Sequence, residues 1–150
     1  MSILFINGSP NKNGNTVSLA DILLWGKDFE TLHLVDYKIY SYGQDFPYDQ
    51  FDKVFTEMQK ADTIIIASPL YWHSMSGAVR NLLDCSYGTI AKEAFVGKNL
   101  YFIFQGAAPT KEQLAAGEYT IGRYALLYGL NYKGMITNCR EAEDIARNIK

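Results

Sequence analysis

The stretch Gly8-Ser9-Pro10-Asn11-Lys12-Asn13-Gly14-Asn15-Thr16 joins an apolar run, Ile3-Leu4-Phe5-Ile6, to a helical pattern marked by Val17, Leu19, Ala20, Leu23 and Leu24. A buried strand, a tight polar turn and the first turn of a helix therefore follow one another. Helix N-termini leave backbone N–H groups unpaired and carry the positive end of the helix dipole, so this order of elements attracts a phosphate. Ser9, Asn15 and Thr16 add hydroxyl and amide donors, and Lys12 adds charge. A nucleotide loop of the Gly-x-x-x-x-Gly-Lys-Ser/Thr type is excluded: five residues separate Gly8 from Gly14, and Asn15, not lysine, precedes Thr16. The dinucleotide fingerprint Gly-x-Gly-x-x-Gly fails as well, because Pro10 stands where the second glycine must be. What is left suits a single terminal phosphate. The same residue types also build ordinary strand-to-helix turns.

Two further loops bear on what carries that phosphate. Ser68-Pro69-Leu70-Tyr71-Trp72-His73-Ser74-Met75 follows the apolar β-branched run Thr63–Ala67 and places tyrosine, tryptophan and histidine side by side. Broad aromatic surface with backbone amides at its rim suits a flat heterocycle. Gln105-Gly106-Ala107-Ala108 follows another apolar run, and its small residues let backbone approach a planar ring. A phosphate loop beside two such loops describes a mononucleotide with a large aromatic base, which flavin mononucleotide (FMN) fits best.

The elements that must position these loops alternate along the chain. Strands are expected at Ile3–Asn7, Phe29–Leu34, Thr63–Ala67, Lys98–Phe104 and Tyr132–Thr137. Helices are expected at Thr16–Trp25, from Asp49 or Asp52 to Lys60, and at Ser76–Cys85, Lys111–Tyr128 and Glu141–Ile149. Gly117 and Gly122 should weaken the fourth helix. Strand–helix alternation implies a parallel sheet wrapped by helices, with ligands beyond the carboxyl ends of the strands. The segment Val35–Tyr48 is aromatic and irregular.

Composition fits one ordinary domain over residues 1–150: 48% hydrophobic and 20% charged residues are globular values. A net charge of −2 gives no attraction to nucleic acid or anionic membrane. With no apolar stretch of membrane-spanning length and no secretory leader, a cytoplasmic protein is expected, with Cys85 and Cys139 as free buried thiols. His33 reads as a packed or surface histidine. His73 and Arg80 are candidates for substrate contact, although Arg80 could equally be a solvated helix residue. Trp72 reads as a ligand or subunit contact before plain core. The eleven tyrosines mark either a subunit seam or half-exposed packing positions.

Gly8-Ser9-Pro10 with Gly14-Asn15-Thr16, Ser68-Pro69-Leu70-Tyr71-Trp72 and Ala78-Val79-Arg80-Asn81-Leu82-Leu83-Asp84 resemble the flavodoxin-like NAD(P)H-dependent FMN reductases and quinone reductases. The resemblance implies an α/β fold with a five-stranded parallel sheet in order 2-1-3-4-5 and helices on both faces. It carries the FMN phosphate to Ser9, Lys12, Asn13, Gly14, Asn15 and Thr16. It carries one edge of the isoalloxazine to Pro69, Leu70, Tyr71 and Trp72, and the pyrimidine side to Gln105, Gly106 and Ala107. Dimers or higher homo-oligomers are implied, with the partner often completing the pocket. A related branch, the iron–sulfur flavoproteins, has a cysteine motif after the second strand; Tyr37–Gly43 has no cysteine, so no cluster is expected. The implied reaction moves hydride from NADPH or NADH through FMN to a quinone, an azo or nitro compound, or a flavin. That chemistry requires no side-chain nucleophile, acid or base. A non-enzymatic electron carrier or flavin-binding module is the alternative.

Overall fold

Ile64, Ile65 and Ile66 are all fully buried, which demands cover on both faces of their strand and sets the layering of the molecule. The computed structural model describes residues 1–150. Its strands are β1 (Ile3–Asn7), β2 (Glu30–His33), β3 (Thr63–Tyr71), β4 (Ser74–Met75), β5 (Asn99–Gln105) and β6 (Asn131–Ile136). Its helices are α1 (Asn15–Leu23), α2 (Phe51–Lys60), α3 (Gly77–Ser86), α4 (Lys111–Tyr128) and α5 (Cys139–Ala146). Five strands pair in parallel in the order β2-β1-β3-β5-β6. The expected parallel α/β sheet is present, and the 2-1-3-4-5 order holds once β4 is set aside.

Alternating side chains divide the core. Leu4, Ile6, Ile64, Ile66, Phe102 and Phe104 meet Val54 and Met58 of α2, Val79 and Leu82 of α3, and Ile121 and Ala125 of α4. On the other face Ile3, Phe5, Ile65, Tyr101 and Ile103 meet Leu19 and Leu23 of α1 and Ala142 of α5. Gly117 does not weaken α4 as expected. A Cβ there would lie 2.3 Å from Cε1 of the buried Phe104, so the glycine lets an unbroken helix sit close on β5.

Four further expectations are corrected. β3 does not stop at Ala67; it continues to Tyr71 and folds back through Trp72-His73 onto β4, making a sixth, antiparallel strand. The Ser76 N–H donates to Ser68 Oγ (2.7 Å) and closes the base of this hairpin. Neither cysteine is fully buried: Cys85 is half-buried and Cys139 exposed, because Cys139 opens the first turn of α5 behind the capping Asn138. That helix also begins and ends earlier than Glu141–Ile149. Finally, the tyrosines are not uniformly half-exposed. Tyr101, Tyr124 and Tyr128 belong to the core, with the Tyr124 hydroxyl 3.0 Å from Ser86 Oγ and the Tyr128 hydroxyl donating to the Ser86 carbonyl (2.9 Å).

Candidate functional site

The polar loop after β1 is organised by a residue that sequence reasoning treated as the last of a strand. Asn7 is fully buried. Its Oδ1 accepts from the Ser9 N–H (3.0 Å) and the Thr16 hydroxyl (3.1 Å). Its Nδ2 donates to the Asn11 carbonyl (3.1 Å) and to His33 Nδ1 (3.0 Å). Both donors and both acceptor positions of the amide are used. The signal was a polar side chain closing an otherwise apolar run. Two local bonds set the rest of the loop: the Asn11 N–H donates to Ser9 Oγ (3.1 Å) and the Asn13 N–H to Asn11 Oδ1 (3.0 Å). Gly8 sits against the sheet, where a Cβ would meet Val79 Cγ2 at 2.2 Å and the Ala67 carbonyl at 2.6 Å.

The loop delivers its donors unevenly. The hydroxyl proton of Thr16 is committed to Asn7, and the Lys12 ammonium lies 2.7 Å from Asp36 on the surface. Asn13 and Asn15 are exposed, and Ser9 is buried at the base of the turn. No side chain caps α1 at Gly14, so the amide groups of its first turn have no side-chain acceptor within the protein. The other helices differ. Ser76, Thr110 and Asn138 cap α3, α4 and α5, and Asp49 accepts from the first N–H of α2 (2.8 Å).

The carboxyl ends of β1, β3 and β5 lie side by side, which brings all three predicted loops together. Alternation along β3 sends Tyr71 and Leu70 to opposite sides. Tyr71 faces a cleft of about 170 Å³ shared with Gly8, Ser9, Pro10, Ser76, Gly77 and Ala78. Leu70 faces a cleft of about 300 Å³ shared with Trp72, His73, Gly106, Ala107, Ala108 and Gln113. Gly106 is close to Leu70: a Cβ would lie 3.1 Å from the Leu70 Cβ. Pro69 pairs with Gln105 in register between β3 and β5. The hairpin tip is unusual. Trp72 (φ 47°) and His73 (φ 63°) both occupy the left-handed region, where two-residue hairpin turns ordinarily place Asn-Gly. Trp72 is 94% exposed.

Arg80 does not reach these clefts. It pairs with Asp84 on α3 (3.1 Å) and lines a separate cleft of about 360 Å³ between α3 and α4. The titrations that the fold perturbs also lie elsewhere. Burial pushes the Cys85 thiol up, with Asp49 and Asp84 adding to the effect; its Sγ donates to the Tyr40 carbonyl. Burial likewise raises Tyr101, Tyr124, Tyr128 and Tyr132. The two clefts at the strand ends thus combine an uncapped helix start with aromatic and small apolar walls. They hold no paired carboxylates and no activated nucleophile.

The sequence profile of the NADPH-dependent FMN reductases matches residues 1–119. The chain belongs to this family. The FMN reductase (NADPH) of Escherichia coli is 31% identical over 130 residues, covering 81% of this chain and 63% of that protein. The iron–sulfur flavoprotein of Archaeoglobus fulgidus is 37% identical over 99 residues, covering 57% of this chain and 49% of that protein. The chain therefore spans about half to just under two-thirds of the length of the curated relatives it matches. Among solved structures, the Trp repressor binding protein from Bacillus subtilis superposes with a TM-score of 0.78 at 23% identity, covering 99% of each chain. An FMN-dependent NADH-azoreductase from Bacillus anthracis, solved with FMN, superposes with a TM-score of 0.70 at 13% identity, covering 99% of this chain and 95% of that one. At these identities the likeness concerns the fold.

Proposed function

We propose that this FMN reductase family member binds FMN, takes hydride from NADPH or NADH, and passes electrons to a small acceptor: a quinone, an azo or nitro compound, or a free flavin. The observation that carries this reading is the uncapped start of α1 beside two clefts with aromatic and small-residue walls, in a chain of this family. Bound FMN supplies a carrier that accepts hydride and returns electrons singly or in pairs.

The residues present fit that group. Unpaired amides at a helix start suit a terminal phosphate, and Ser9, Asn13, Gly14 and Asn15 surround them. Thr16 serves the same site one step removed, by tying α1 to Asn7. Lys12 contributes a charge already partly neutralised by Asp36. Pro69, Leu70 and Trp72 form one wall of the ring site and Gln105, Gly106 and Ala107 the other, while Tyr71 lines the adjoining cleft beside Gly8, Ser9 and Pro10. These walls orient two flat rings, and backbone N–H groups bond their polar rims. With donors for one terminal phosphate only, FMN is favoured over FAD.

The working unit is a homodimer or higher homo-oligomer in the cytoplasm. Exposed Tyr71 and Trp72 support a seam at the ring site, with Tyr42, Phe46 and Tyr48 as further exposed aromatic surface outside it, and the free cysteines suit a reducing compartment. Sedimentation of the FMN-loaded protein should find no monomer at micromolar concentration. The catalytic test is anaerobic stopped-flow mixing with NADPH and NADH. The purified protein should be yellow, bleach within seconds and show parallel double-reciprocal lines with a quinone. Flavin that neither nucleotide bleaches within minutes would make the protein an electron carrier fed by a partner.

A further inference from the structure

Gln113 is held at both ends of its amide. Its Oε1 accepts from the Thr110 N–H (2.9 Å), while its own N–H donates to Thr110 Oγ1 (3.2 Å). Its Nε2 meets His73 Nδ1. With Oε1 committed to Thr110, the amide presents only its NH2 group to the imidazole. Nδ1 therefore accepts, and the ring carries its proton on Nε2. One side chain thus joins the start of α4 to the tip of the β3–β4 hairpin.

The tip has few other restraints. β4 has two residues, Ser74 and Met75, and the turn places Trp72 and His73 in a backbone region uncommon for side chains of their size. Local preference alone does not favour this turn, so a tertiary tie has to hold it. We infer that Gln113 is a positioning residue for the flavin site: through His73 it latches the hairpin to α4 and sets the width of the cleft that Leu70 and Trp72 share with Gly106 and Ala107. The functional meaning of the latch rests on the site proposed above, but its existence does not.

The latch depends on the protonation of His73. An imidazolium carries N–H on both nitrogens and cannot accept from Gln113. No other ionisable side chain lines the cleft around His73. On α4, Lys111 and Glu112 precede Gln113, and on the hairpin Tyr71 precedes Trp72. Acidification should open the latch. Gln113→Glu should keep it closed, because a carboxylate at the same position accepts from Nδ1–H and still accepts from the Thr110 N–H.

Trp25→Phe leaves Trp72 as the single tryptophan, so its fluorescence anisotropy reports hairpin order in protein freed of FMN. In this background, Gln113→Leu and His73→Gly should both lower the anisotropy. The His73→Gly result is the sharper one, since glycine relieves the left-handed backbone and leaves the α4 cap untouched. Acidification should lower the anisotropy of the parent but not of Gln113→Glu, because an imidazolium cannot accept from the amide yet can donate to the carboxylate. In the FMN-loaded enzyme, His73→Gly should raise KM for NADPH by about two- to tenfold with a smaller change in kcat. Unchanged anisotropy in both Gln113→Leu and His73→Gly overturns the latch, as does a pH response shared by the parent and Gln113→Glu. Lowered anisotropy with unchanged KM and FMN affinity overturns the positioning role and moves the flavin away from this hairpin.

Discussion

Helices α1 and α4 begin at the same end of the sheet, each after a parallel strand and a loop, yet their first turns are completed differently. At α4, Thr110 and Gln113 form a reciprocal capping box that occupies two of the exposed amides. At α1, Gly14 offers no side chain, although three asparagines and a serine lie within a few residues. None of them caps the helix: Asn11, with Asn7, bonds the loop to itself, Ser9 holds the Asn11 N–H, and Asn13 and Asn15 are exposed. Forgoing a cap costs about 0.5–2 kcal/mol. This loop fixes its own shape while leaving the helix start open, the arrangement that the proposed phosphate site needs. The α4 start is closed by its own residues and serves the neighbouring hairpin instead.

Breaking the α1 side should have the largest effect. Asn7→Ala removes four hydrogen bonds and strands the Ser9 N–H, the Thr16 hydroxyl and the Asn11 carbonyl. With about 1–3 kcal/mol for each buried group left unpaired, FMN affinity should fall by about a hundredfold or more. Isothermal titration of the apo protein reads it, and affinity within threefold of wild type would show that Asn7 does not shape the phosphate site.

Giving α1 what α4 already has should produce a smaller effect of two opposite signs. Gly14 is extended (φ −90°, ψ −168°), so aspartate can take this position as a cap once the Asn11 side chain, 3.1 Å from the new Cβ, gives way. The apo protein should gain about 1 kcal/mol of stability. FMN should bind about tenfold more weakly, because the carboxylate takes the amides and repels phosphate. Melting and titration of the same sample test both signs, and unchanged FMN affinity would mean that the helix start is not where the phosphate lies.

The smallest effect is expected on the other side of the comparison. Thr110→Ala removes the cap of α4 and should cost about 1 kcal/mol, lowering the melting temperature by a few degrees. FMN affinity should stay within about twofold, since the backbone N–H that Gln113 Oε1 accepts from remains. A loss as large as that of Gly14→Asp would erase the distinction between the two helix starts.

The sheet and the three loops could be read from the residues because their cues are local: an apolar run, then Gly, Ser and Asn, then a helical period. Ile64-Ile65-Ile66 announced a strand covered on both faces, and it is one. The hairpin could not be read in the same way. Nothing in Tyr71-Trp72-His73-Ser74 has the conformational preference of a tight turn, yet β3 runs on through Pro69 to Tyr71 and turns back onto β4. Asn7 ends β1 as expected, but its anchoring role is not legible in the sequence, because its partners, from Ser9 to His33, converge only in the fold. Gln113 was invisible for the same reason: forty positions separate it from His73.

The tyrosines packed around Ser86 carry a consequence at the alkaline end of the pH scale. Burial holds the phenols of Tyr101, Tyr124, Tyr128 and Tyr132 in their neutral form to higher pH than in an unfolded chain. A group whose folded pKa is raised supports the fold below its unfolded value and withdraws that support as pH climbs. Base therefore works against this protein from the inside, where ionising Tyr124 or Tyr128 would place a phenolate against Ser86 between α3 and α4. A spectrophotometric titration should find the buried phenols ionising late, together with loss of structure. The aromatic load that seals one face of the sheet is also its alkaline limit.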